Sequence, residues 1–85
     1  MKKQLKTDLY GVIGLGRFGT ALVQTLAEAG KEVIAIDKNE EKVKAVRRYT
    51  DYAFVVDNLS EDALKETGMQ NCGTVTVCIG EQVDI

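Results

Sequence analysis

Leu9-Tyr10-Gly11-Val12-Ile13-Gly14-Leu15-Gly16-Arg17-Phe18-Gly19 is the stretch from which the fold can be read. Leu9 to Ile13 is apolar and partly β-branched and ends at a glycine, the pattern of a buried strand. Gly14, Gly16 and Gly19 then supply G-x-G-x-x-G, and from Phe18 the apolar period becomes that of a helix. Each glycine meets a different need, with a tight turn at Gly14, close approach of a diphosphate to the backbone at Gly16, and tight helix–strand packing at Gly19. Loop amides and the positive end of the helix dipole would face the phosphates. A plain glycine turn with no ligand would not require this order of strand, loop and helix.

Working outward, Ala21, Leu22, Leu26 and Ala29 are expected on the buried face of that first helix, with Gly30 as its C-cap. Val33 to Ile36 form a second apolar strand, closed by Asp37. Asn39 is the expected N-cap of a second helix with Glu40 and Glu41 early, Arg47 and Arg48 late, and Val43, Val46 and Tyr49 inward. A third strand runs from Tyr52 to Val56 and closes at Asp57. Ser60 then caps a short helix with Glu61 and Asp62 in its first turn, Ala63 and Leu64 inward and Gly68 at its end. The fourth strand, Thr74 to Ile79, closes at Gly80. This alternation with short connections predicts an α/β fold, a doubly wound parallel sheet in the order 3-2-1-4. Nothing covers one face of the fourth strand. Residues 1–85 are therefore expected to be the N-terminal part of one longer nucleotide-binding domain, with no second domain.

The chain has 85 residues, 45 % apolar and 28 % charged, the balance of one small globular domain. A complete two-domain dehydrogenase does not fit. The net charge of −2 disfavours nucleic acid as a partner. No apolar h-region follows Lys2, Lys3 and Lys6, and no apolar run approaches the ~20 residues that span a bilayer. Cys78 is expected to be a small core residue and Cys72 an exposed loop residue; two thiols without further ligands make no zinc site. A reduced, cytoplasmic location follows as the expectation. The sequence has no histidine, no Ser/His/Asp set, no H-E-x-x-H and no Walker G-x-x-x-x-G-K-[ST]. No catalytic residues and no enzymatic activity are expected.

Asp37 lies ~20 residues beyond the glycine loop, where a carboxylate can accept hydrogen bonds from both ribose hydroxyls of an adenosine. It would repel a 2′-phosphate, although the neighbouring Lys38 can tolerate one; the alternative role for Asp37 is to cap the next helix. Arg17 can give a forked, charge-assisted contact to a terminal phosphate, which suits ATP or ADP at least as well as NAD. Its alternative is a solvated arginine at a helix start. Asp57 and Asn58 end the third strand, and Ile79 and Gly80 the fourth, at the carboxyl edge where open α/β sheets hold ligands.

The strings GLGRFGTALVQTLAEAGKEVIAIDKNEEKV, VVDNLSEDALKETGMQN and VTVCIG resemble the RCK (or KTN) domains of bacterial potassium-uptake regulators, above all KtrA/TrkA-type subunits. The likeness covers Leu9 to Gly80. It implies a Rossmann-like lobe that binds ATP, ADP or NAD(H) as regulatory ligands. It also implies homodimers that assemble into an octameric ring beneath a membrane potassium channel or transporter, peripheral to the membrane and not inserted in it. By position, Gly14, Leu15, Gly16, Arg17, Phe18 and Gly19 would hold the phosphates, with Arg17 on the γ-phosphate. Asp37 would take the ribose, Asp57 and Asn58 the adenine edge, and Ile79 and Gly80 would close the pocket. Asp57-Asn58-Leu59-Ser60 departs from the family's common G-D-A-T. The glycine loop and Asp37 alone fit equally the cofactor half of an NAD-dependent dehydrogenase; Arg17 and the family-like strings favour a regulator.

Overall fold

A computed structural model describes residues 6–78. The elements are β1 (Lys6–Ile13), α1 (Arg17–Glu28), β2 (Glu32–Asp37), α2 (Glu40–Val46), β3 (Ala53–Val55), α3 (Glu61–Thr67), a 3₁₀ turn (Met69–Asn71) and β4 (Cys72–Val77). The four strands form one parallel sheet in the order β3-β2-β1-β4. The expected α/β class and strand order are therefore found.

Alternation along each strand divides the core between the two faces of the sheet. Val12, Val33 and Ala35 join Val23 of α1 and Val43 and Val46 of α2 on one side, with Leu22, Leu26 and Tyr49 packed against them. Leu9, Ile13, Ile34 and Ile36 join Met69 and Cys72 on the other, against Leu64 of α3. Strands buried on both faces have no polar side to spare, which is why Val33 to Ile36 reads as an unbroken apolar run. The helix ends follow local chemistry. Asn39 and Ser60 accept backbone amides as N-caps of α2 and α3, and Gly68 takes the left-handed conformation after α3.

Several expectations shift. On α1 the buried residues are Gly19 and Val23, while Ala21 and Ala29 are exposed. Contact between Gly19 and the glycine loop sets the phase of the helix, so its inner face runs 19, 22, 23 and 26, which keeps Leu22 and Leu26 as expected and turns Ala21 and Ala29 outward. Ala29 is the C-cap; Gly30, at φ 83°, follows it, and Lys31 donates to the Leu26 carbonyl in a Schellman arrangement. β1 begins before Leu9, β3 spans only Ala53–Val55, and β4 starts at Cys72, so Cys72 lies in a strand and not in a loop. It is 6 % exposed, beneath the 3₁₀ turn that carries Met69. Cys78 is buried as expected. Val75 and Val77 of β4 are 42 % and 60 % exposed, the uncovered face foreseen for the fourth strand.

Candidate functional site

The glycine loop crosses the carboxyl ends of β1 and β2. Gly14, at φ 100°, occupies a conformation that favours glycine, and its amide donates to the Ile36 carbonyl at 2.9 Å. The Leu15 amide donates to Asp37 Oδ2 at 2.7 Å. Gly16 is the N-cap of α1 and offers no side-chain capping bond, and the first turn holds no acid. The positive end of this helix is thus left uncompensated by a first-turn carboxylate. A Cβ at Gly19 would overlap the Gly14 carbonyl oxygen, so only glycine lets α1 lie this close to the loop.

Beside the loop opens a crevice of about 440 Å³. Of the residues singled out from the sequence, Gly14, Leu15, Gly16, Asp37, Lys38, Asp57 and Asn58 all line it. Three do not. Arg17 and Phe18 are exposed at the start of α1, Phe18 to 63 %, and Gly19 is buried in the helix–loop contact. Ile79 and Gly80 lie outside the described residues.

Sequence reasoning missed Lys42, on the first turn of α2, and the apolar lining supplied by Ile13, Ile36, Val56, Leu59 and Cys78. Lys42 lies five positions after Asp37, on the helix Asn39 begins, but nothing in the sequence sets it apart from the other lysines. The apolar residues carried no signal because strand-end and core residues look alike in sequence. Asp37 does not cap α2. Asn39 does so, its side chain accepting from the amides of Glu41 and Lys42 at 2.9 and 3.2 Å. Among the described residues no group of acids, cysteines or histidines is arranged to hold a metal ion. No helix among them is long and apolar enough to cross a membrane.

A parallel α/β sheet with a glycine loop after β1, where the strand order reverses between β1 and β4, and an acid at the end of β2, defines a Rossmann-like lobe. The TrkA-N domain profile matches residues 10–84, and the chain belongs to this family of nucleotide-binding domains. It is 40 % identical over 83 residues to Ktr system potassium uptake protein C of Bacillus subtilis (strain 168), covering 98 % of this chain and 35 % of that protein. To Ktr system potassium uptake protein A of the same organism it is 39 % identical over 80 residues, 94 % of this chain and 36 % of the relative. Against a glutathione-regulated potassium-efflux system protein of Haemophilus influenzae the identity is 31 % over 70 residues, 82 % of this chain and 11 % of that protein. The chain thus spans about a third of the length of the two Ktr proteins.

Proposed function

We propose that the chain is the nucleotide-binding part of a regulatory subunit that gates a membrane potassium channel or transporter, with ATP, ADP or NAD(H) as effectors and not substrates. One observation carries the ligand class. Through the Leu15–Asp37 bond, the glycine loop and the β2 carboxylate open into one crevice with an apolar lining. A flat adenine suits the surface of Ile36 and Val56, with Asp57 and Asn58 at its edge. Ribose hydroxyls suit the remaining lone pairs of Asp37, and the phosphates suit Gly16 and the positive end of α1. Arg17 takes the γ-phosphate.

The names of the relatives, potassium uptake and efflux systems, support a role in potassium transport. In this reading homodimers build an octameric ring on the cytoplasmic face, held at the membrane by the transporter and not inserted in it. Residues 1–85 form the N-terminal part of the nucleotide-binding domain. Nucleic acid is not a partner, and no reaction is catalysed.

The test is calorimetric titration of the full-length subunit with ATP, ADP, NADH and NADPH. At least one of the first three is expected to bind, with NADPH about tenfold or more weaker because Asp37 faces its 2′-phosphate. None should be consumed at ~1 s⁻¹ or faster. Absence of binding by all four would remove the ligand assignment, and steady turnover would replace a regulator by an enzyme.

A further inference from the structure

Asp37 engages both of its carboxylate oxygens with the protein itself. Oδ2 accepts the Leu15 amide at 2.7 Å and Oδ1 the Asn39 amide at 2.8 Å. The first of these bonds closes a sequence separation of 22 and ties the middle of the glycine loop to the end of β2. It is not a by-product of helix capping, because Asn39 caps α2. Two further bonds fix the path of the loop: Gly14 N–H to the Ile36 carbonyl at 2.9 Å, and the Thr20 hydroxyl to the Leu15 carbonyl at 3.0 Å. The amides of Gly14 and Leu15 are therefore spent inside the protein. A phosphate must take its donors from Gly16 onward.

We propose that Asp37 is a positioning residue for the phosphate loop in addition to any contact it makes with a ribose; only the identity of the ligand rests on the nucleotide reading above. An ionised carboxylate accepts a stronger hydrogen bond than a neutral group does. Held by it, the loop keeps one course before a ligand arrives, and the ordering cost is removed from the binding step. A carboxylate offers about four acceptor sites, so the two bonds leave room for ribose hydroxyls. The two roles can therefore be separated by a ligand that has no hydroxyls to offer.

The experiment compares ADP with 2′,3′-dideoxyadenosine diphosphate on the full-length protein, in wild type, Asp37→Ala and Asp37→Asn. Alongside it, hydrogen–deuterium exchange is followed over residues 14–18 without ligand. Asp37→Ala should weaken both ligands about tenfold or more and speed ligand-free exchange of the loop by a similar factor. Asn, which keeps one acceptor oxygen, should restore part of both. If ADP weakens while the dideoxy compound is unaffected, or if loop exchange is unchanged, the positioning role is overturned and the nucleotide reading survives. If wild type binds neither ligand, ADP is removed as an effector, the four-nucleotide titration decides the nucleotide reading, and the exchange comparison still decides the positioning role. Should the alanine variant not fold, the asparagine variant decides on the same two measurements.

Discussion

Arg17 and Gly19 stand two positions apart on α1 and face different tests. Arg17 is exposed and lies outside the crevice lining. A guanidinium there serves a ligand only if the ligand reaches past the helix start, as a triphosphate does. Arg17→Ala should therefore cost ATP ~1–2 kcal/mol more than ADP or NADH, with lysine recovering part of it because an ammonium cannot fork across two oxygens. Equal losses for all three, read by titration, would assign Arg17 to the shared phosphates or to the fold. Gly19 acts without touching any ligand. Its missing Cβ makes room for the Gly14 carbonyl, so Gly19→Ala must push α1 away from the loop. A loss of ~1–3 kcal/mol in denaturant unfolding is expected, together with weaker binding of every nucleotide. The role of Gly19 was legible because the spacing of the three glycines states it; the crevice position of Lys42 was not, because one lysine among many carries no such signature.

The two outer strands differ in how their edges are covered. Tyr52 offers its carbonyl to Ala35 of β2, so the alternation of the strand turns the Ala53 carbonyl outward. Arg47 meets it there, Nε and Nη2 both donating to Ala53 O at 3.3 and 3.1 Å. From sequence Arg47 reads only as a late-helix cation complementing the dipole; its service to β3 depends on a contact that periodicity does not encode. Arg47→Ala should lower stability by ~0.5–1.5 kcal/mol and raise light scattering on heating, since an uncovered strand edge invites pairing between chains. At the other side, β4 pairs among the described residues only with β1. Its start escapes sequence reading for a related reason: Cys72 and Gly73 look like loop, and only the 3₁₀ turn packing Met69 onto the sheet makes them strand.

Taken whole, the molecule was legible where one pattern could mean one thing. Apolar runs too short for helices, each separated by a capped amphipathic segment, admit a parallel sheet and little else, and the loop after the first strand fixes the order. Burial was less legible, because it depends on what packs where. Cys72 shows this, and it carries a pH signature. Burial pushes its thiol above the ordinary 9.0. The unfolded chain therefore loses this proton first as pH rises from about 9, and the thiol's contribution to stability is lost until pH passes the folded value. The stability difference between wild type and Cys72→Ala, measured by denaturant unfolding, should shrink across that alkaline window and stay level below pH 8. Beside Cys72, a Cβ on Gly11 would run into the Met69 sulfur and come within 3.2 Å of the Cys72 sulfur. Positions 11 and 69 thus share one volume, which bears on how related chains can diverge. Shortening residue 69 first opens a gap above the glycine, and adding a methyl at 11 first passes through an overfilled interior. Each order crosses its own valley of fitness, so these two positions should drift together or not at all.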